Sequence, residues 1–328
     1  MRIKTMTAVA TAGALLLAAC GGNAATEADT DDELTVLMST VTFQYLPVLI
    51  GQDNGAFEEH GVTVKTLDVQ GSSAAAQAMA AGEGDVMPIS AVSVVAPILR
   101  GLEAKIIGSI TNEFSSQVVV VGADSDLQGP ADLEGRTIGI VQRGGLLFWL
   151  ANQLADEQGW KEGQDYELAA VGGLSEQIAA LEAGLTDGFI WTSDAAFQME
   201  ETGDGRALFD FGSIVDDNVN VVLAASDQVI AERPEAVEAF MRGWMDTIAW
   251  MADNKAGSVE ACMEHYDMSE FVCQSVYDVE MGNFSQDGVI PEANLRGLAE
   301  SMVEVDEEVT EPPASSDFYD SNFVGGGN

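Results

Sequence analysis

Basic residues are scarce in this chain. Lysine and arginine number 13 against 54 aspartates and glutamates, a formal net charge of −41. Such a surface repels nucleic acid and anionic membranes, both polyanions, and excludes them as partners. Histidine is scarcer still: His60 and His265 are the only two, far apart in the sequence. No histidine and cysteine stand at the spacing of a zinc site, so neither a metal nor a cofactor is expected. Gly-x-Ser-x-Gly, His-Glu-x-x-His and phosphate-loop motifs are missing, which removes the usual signatures of hydrolase, metalloprotease and nucleotide chemistry. After residue 20 no apolar run reaches the roughly 20 residues that a membrane-spanning helix needs. The acids themselves are dispersed, with dense clusters only at Asp29 to Glu33 and Asp306 to Glu311.

What is present begins at the N-terminus. Arg2 and Lys4 precede an uncharged run from Met6 to Ala19, the pattern of a secretory signal. The run closes on Leu17-Ala18-Ala19-Cys20, which resembles the lipobox of bacterial lipoproteins. That resemblance implies a signal peptide over 1–19 and a lipid-modified Cys20 as the first mature residue. Residues 20–33 are then a tether, flexible through Gly21-Gly22-Asn23-Ala24-Ala25. The alternative is an ordinary signal peptide cut near Ala18 or Ala19. Either way the chain is exported; the lipid reading anchors it to a bacterial membrane on the periplasmic or extracellular face, touching that membrane through the lipid only. Assigning Cys20 to lipid leaves Cys262 and Cys273 as the one possible disulfide pair, against two buried thiols.

From Leu34 strand-like and helix-like segments alternate, which predicts an α/β fold of mainly parallel sheets covered by helices. A helix is expected from Tyr45 to Glu59, and strands near residues 62–69, 85–90, 105–111 and 117–123. The pattern then repeats at an offset of 102 residues, from Thr35 to Thr137 and from Ala81-Gly82-x-x-Asp85 to Ala183-Gly184-x-x-Asp187. Identity is low, but matches fall on glycines at helix ends and on Gly-x-Ser at helix starts, where the backbone is constrained. Two similar lobes follow, from duplication or from convergence on one architecture. Thr111 to Ser116 lies between them, and the chain returns through Ala207 to Ser226. Long helices from Arg233 onward are expected to pack back onto the first lobe. Two crossings form a hinge around which lobes can close on a ligand.

Several motifs, in this order and spacing, resemble the substrate-binding proteins of bacterial ABC importers. They are Phe43-Gln44-Tyr45-Leu46-Pro47, Asn54-Gly55-Ala56-Phe57-Glu58-Glu59-His60-Gly61, Asp132-Leu133-Glu134-Gly135-Arg136-Thr137 and Ala180-Leu181-Glu182-Ala183-Gly184. The group they resemble includes sulfonate-, taurine-, nitrate- and thiamine-pyrimidine-binding proteins. The resemblance implies a type II periplasmic-binding-protein fold with two parallel-sheet lobes joined by a two-crossing hinge. Lobe I is then 34–122 with 211–304, lobe II is 123–210, and 305–328 is a loose tail. It also implies a monomer that captures a small-molecule ligand and delivers it to an ABC permease, not an enzyme. The alternatives are an enzyme of the same fold, of the thiamine-pyrimidine or menaquinone type, and a ligand-sensing partner of a membrane receptor.

In open parallel sheets a ligand sits outside the carboxyl ends of the strands. The candidates there are Phe43, Gln44, Tyr45, Ser72, Ser73 and Ser90 in the first lobe. In the second they are Gln142, Arg143, Gly144, Trp191, Thr192 and Asp194. Arg143 before Gly144-Gly145 at a helix start suits an anion: a sulfonate, carboxylate or phosphate. Its alternative is a solvent-exposed arginine. Ser72 and Ser73 are candidate ligand contacts or plain N-caps, Ser90 and Thr192 candidate hydroxyl donors or turn residues. Phe43, Tyr45 and Trp191 offer faces to an apolar or flat ligand, unless they are core. Asp194 pairs an amine or caps the next helix. The ligand class thus stays open among a sulfonate-like anion, a zwitterion and a heteroaromatic.

The charge carries its own test. Self-repulsion fades as the Debye length shrinks to roughly 3 Å at 1 M salt. The melting temperature is therefore expected to rise with sodium chloride; a protein most stable without salt would contradict this.

Overall fold

The computed structural model describes residues 32–306 and 308–325. The expected signal sequence, Cys20 and most of the tether lie outside the described residues. The first four strands are β1 (Glu33–Met38), β2 (Thr63–Asp68), β3 (Val86–Ser90) and β4 (Ala104–Thr111). Next come β5 (Gln117–Gly122), β6 (Thr137–Ile140), β7 (Glu167–Ala170), β8 (Gly188–Thr192), β9 (Gly205–Asp210) and β10 (Val221–Ser226). They form two five-stranded sheets, ordered β2-β1-β3-β10-β4 and β7-β6-β8-β5-β9. One sheet maps onto the other position by position. Each holds one strand antiparallel to its neighbours, β10 in the first and β5 in the second. These are the strands that follow the two crossings, 112–116 and 211–220. The expectation placed 117–122 in lobe I; β5 instead pairs with β8 and β9, so the lobes part before it.

The sequence repeat has a physical cause. Gly82 (φ 75°) and Gly184 (φ 67°) adopt the left-handed conformation that ends a helix cheaply only as glycine. Each lets an aspartate turn back three residues later. Asp85 accepts from the Thr35 N–H at 2.9 Å, and Asp187 accepts from the Thr137 N–H at 2.8 Å. The main chain completes both clamps, with Asp85 N–H donating to Thr35 O and Asp187 N–H to Thr137 O, each at 2.8 Å. The parallel registers then coincide, Val36 opposite Val86 and Ile138 opposite Gly188.

Helices cover both sheets. They begin with α1 (Leu46–Asn54), α2 (Ala56–Glu59), α3 (Ser72–Ala80), α4 (Ala91–Leu99), α5 (Leu146–Gln158), α6 (Leu174–Glu182) and α7 (Ser193–Thr202). The helix expected over 45–59 is two, because Gly55 at φ 78° breaks it. The later helices are α8 (Asp227–Glu232), α9 (Pro234–Asp253), α10 (Lys255–Tyr266), α11 (Glu270–Glu280) and α12 (Glu292–Val305). In α9 the buried Val237, Phe240, Met241, Trp244, Ile248 and Met251 recur at helical spacing and form one stripe. Phe57 stacks on Phe240 with centroids 5.1 Å apart, and Gly243 permits that approach, since a Cβ there would lie 2.6 Å from the Phe57 ring. Helices α9 and α10 pack behind the first sheet as expected, and α12 lies on α4. Helix α11 also packs on α7 of the second lobe. Cys262 and Cys273 are bridged between α10 and α11, with Cα atoms 5.9 Å apart.

The loose tail expected from Val305 differs from the structure over its described residues. Phe318 is fully buried, and its carbonyl accepts from Ile106 N–H at 2.8 Å. Asp320 N–H donates back to Ile106 O at 2.9 Å, so the tail extends the edge of the sheet at β4. Lys105 fixes it further through the carbonyls of Ser316 and Asp317. Phe318→Ala is expected to cost about 3–5 kcal/mol, as for other fully buried phenylalanines. Urea denaturation measures it, and a loss below about 1 kcal/mol would mean that the tail is not part of the core.

Candidate functional site

The carboxyl ends of the strands of both lobes open onto one cleft of about 810 Å³. Ser39 and Thr40 follow β1, Gln70 to Ser73 follow β2, and Ser90 ends β3. From the other wall come Gln142, Gly144 and Gly145 after β6, Gly173 after β7, and Trp191 with Thr192 at the end of β8. Five helices begin here: α3, α4, α5, α6 and α7. Their N-cap residues are Gly71, Ser90, Gly145, Gly173 and Thr192, and none supplies a side-chain cap. Away from the cleft, Ser226 caps α8 and Ser269 caps α11 in the ordinary way. N–H groups at the starts of α3, α5 and α6 have no partner among the described residues and face the cavity with their helix dipoles, whereas Ala91 N–H of α4 bonds Asn220 O, Ser193 N–H of α7 bonds Ser116 O, and Asp194 accepts from the main chain at the start of α7.

Nine of the twelve residues expected at the site line this cleft: Gln44, Tyr45, Ser72, Ser73, Ser90, Gln142, Gly144, Trp191 and Thr192. Phe43 does not. It is buried in the core, edge-on to Tyr277 and Phe284 at 6.1 and 6.2 Å. Arg143 does not either. Its guanidinium is held two-pronged by Glu162 and lies over the Phe148 ring at 5.6 Å. A carboxylate matched to both donors wins it from the cavity. Asp194 sits in the first turn of α7 behind Thr192, only 4% exposed, and does not reach the cleft.

The cation that does line the cleft is Arg100, beyond the end of α4, paired with Asp306 at 3.0 Å. Sequence reasoning missed it because Arg100 stands at the C-terminal end of a helix, before Gly101, where no strand end or helix start marks a cleft position. Gln117 was missed as well; its signal is a lone polar residue opening an otherwise valine-rich strand. The remaining lining is hydroxyls, amides, main chain and apolar side chains.

Beneath the cleft floor lies a buried acidic cluster. Ser193 on α7 donates to Glu280 on α11 at 2.8 Å. Burial pushes the Glu280 carboxyl up to about 8; the Ser193 hydroxyl opposes the rise and nearby Asp194 adds to it. Burial also raises the Asp194 carboxyl, against hydrogen bonds from Thr192 and the main chain. Tyr45, which lines the cleft, is pushed up to about 12 by burial, partly offset by Ser39.

A family model described as NMT1/THI5 like matches residues 42–257. The chain belongs to the NMT1/THI5-like family. A Bacillus subtilis (strain 168) protein named for binding aliphatic sulfonates is 26% identical over 131 residues, a match spanning 39% of this chain and 39% of that protein. Among solved structures, the periplasmic aliphatic sulphonate binding protein SsuA of Escherichia coli superposes with a TM-score of 0.72 at 13% identity, covering 90% of this chain and 95% of that one. A ligand-binding component of an ABC-type import system from Staphylococcus aureus gives 0.74 at 15% identity, covering 89% and 97%. These likenesses establish the type II periplasmic-binding-protein fold for this NMT1/THI5-like chain.

The buried acid yields a pH prediction. Below about pH 4.5 Glu280 holds its proton folded and unfolded alike. As pH rises from there towards 8, only the folded form keeps it, so this group's contribution to stability is progressively lost. Glu280→Gln removes that loss. Urea denaturation across pH 4.5 to 8 should show the variant gaining on the parent as pH rises; parallel curves would contradict the assignment.

Proposed function

We propose that this protein is the lipid-anchored solute-binding component of an ABC importer. It captures a small organic solute with an anionic head by lobe closure and hands it to a membrane permease. One observation carries the reading: the N-termini of α3, α5 and α6, with first-turn N–H groups unpaired among the described residues, converge on one cleft between two lobes. Partial positive charge at helix ends favours an oxyanion and needs no ionised side chain. Among the described residues the lining contains Arg100 as its only charged residue, and that arginine is paired. A general base or an activated nucleophile most often draws on a histidine, carboxylate, lysine or cysteine in reach of the ligand, and the lining supplies none of these among the described residues; burial keeps its one tyrosine, Tyr45, protonated. This favours binding over turnover. Family membership and the sulfonate-binding relatives support the transport role, and the Leu-Ala-Ala-Cys sequence supports the lipid anchor. The reading places one copy of the chain, without a cofactor, on the outer side of the membrane.

A thermal-shift screen of sulfonates, carboxylates and heteroaromatics in high salt tests this. A ligand at 100 times its Kd adds about 2.7 kcal/mol of stability. Gly145→Glu places a carboxylate at the start of α5, where an added Cβ meets no atom within 4 Å. It is expected to abolish the shift while Arg143→Ala, outside the cleft, leaves it intact. Anions that stabilise Gly145→Glu as well as the parent would sink the anion reading.

A further inference from the structure

Two carboxyls meet where the lobes touch behind the cleft. Helix α7 belongs to the second lobe, where its buried Ala195, Ala196 and Met199 form one cluster with Val118, Val120 and Phe189. Helix α11 belongs to the first, through its buried Val272, Cys273 and Val276 and through the disulfide to α10. Across the boundary Ser193 donates to Glu280 Oε1 at 2.8 Å, and Asp194 follows in the same turn. Glu280 is 2% exposed and Asp194 4%. Glu280 Oε2 and Asp194 Oδ1 are both buried without a hydrogen-bond partner among the described residues.

The surroundings offer this pair no cation among the described residues. Helix α10 contributes the Tyr266 phenol, whose own proton is held by burial and by Tyr45, Asp194, Glu280 and Asp68 around it. The Phe43–Tyr45 turn contributes Tyr45, and the Met281–Asn283 turn brings no titratable group. His265, next to Tyr266, is held by Asp53 at 2.6 Å, and Lys255 is spent on Asp278. A solvent-free carboxyl without a cation neutralises, and a second acid beside it resists its ionisation further. Losing the proton sets like charges side by side in a site of low dielectric. Parting α7 from α11 and admitting water relieves them. The cleft is tied to this point, because Thr192, which bonds Asp194, and Tyr45 both line it.

Resting on the solute-receptor reading, we propose that a proton held on the Glu280–Asp194 pair is part of the binding-competent state, and that its loss parts α7 from α11, opens the walls of the cleft and releases the solute. The clamped form keeps the proton up to about pH 8, whereas a hydrated glutamate loses it near about 4.3. Between these values rising pH favours the parted form by up to about tenfold per pH unit for one proton.

Small-angle X-ray scattering of the mature protein, at fixed high salt from about pH 5 to about pH 9, reads lobe separation without a ligand. The radius of gyration is expected to rise with pH in the parent. It should stay level in Glu280→Gln, whose side chain still accepts from Ser193 but carries no charge. Asp194→Asn serves if that variant loses its cooperative melt. Calorimetric titration with propane-1-sulfonate reads affinity across the same range. It should be at least about tenfold weaker at about pH 9 than at about pH 6 in the parent, and unchanged within about twofold in the variant. A parent whose radius or affinity ignores pH overturns the proposal and leaves the receptor reading standing. So does a variant that follows the parent's pH profile. Failure of propane-1-sulfonate together with an empty anion screen overturns the receptor reading, and the radius still decides whether the proton holds the lobes.

Discussion

The cleft depends on two aspartates at the opposite ends of the strands from it. Asp85 and Asp187 each pin the start of one central strand to the start of its parallel neighbour. Parallel strands meet side by side only through long crossovers, so nothing local sets their register. A one-residue slip would turn every side chain to the other face. The clamps prevent this at the same place in both lobes, and each aspartate is further tied to an arginine, Arg233 for Asp85 and Arg136 for Asp187. With register fixed at the amino ends, the carboxyl ends finish level, and the loops beyond them line up as two walls.

In a chain with so few cations, where those cations go is informative. Arg100 faces Asp306, Arg143 faces Glu162, and Arg206 is spent on the carbonyls of Ser125 and Leu127. Structural pairing holds Arg100 at the cleft, and Arg206 is spent at the opposite end of the second sheet, beside Val121. On the proposed reading, main-chain N–H groups at helix starts take the place of a side-chain cation. They are fixed in place by the helices, cost no side-chain entropy on binding, and escape the competing acids of the surface. On the proposed reading, an acidic exterior is compatible with an anionic ligand for this reason.

Much of this was legible in the sequence wherever a backbone requirement left a mark. Gly82 and Gly184 need a left-handed conformation, and the aspartates three residues later follow from the turn; the offset of 102 between them located both lobes. The cleft loops followed from the rule of strand ends. The misses share a different cause, since each turned on a partner distant in sequence. Arg143 reads as a ligand contact until Glu162, nineteen residues on, is seen to take it. Phe43 belongs to the core because Tyr277 and Phe284 come back to it from the C-terminal helices. The tail is docked by main-chain bonds to β4, which side-chain patterns do not record. Gln117 carries a signal only when the strand it opens is known to border the cavity.

Beside the exposed Ser269–Glu201 bond at 2.8 Å between α11 and α7, two polar contacts among the described residues tie the lobes outside the crossings, and they differ in what it costs to part them. On one side Ser193 bonds Glu280 between α7 and α11, and both residues are nearly solvent-free. Separating them would hydrate a carboxyl that holds its proton through burial, and would expose the apolar faces packed around it. On the other side Glu304, near the end of α12, accepts from Trp149 at 3.1 Å and from Gln153 at 2.9 Å on α5. That carboxylate is partly open to water, so solvent can replace both donors at little net cost. The next residue, Val305, lines the cleft, as does Leu146 at the start of α5. The weaker of the two ties thus lies against the cavity and the stronger is buried behind its floor. That asymmetry suits a clamp, where one side must yield to admit a solute while the other keeps the walls in register.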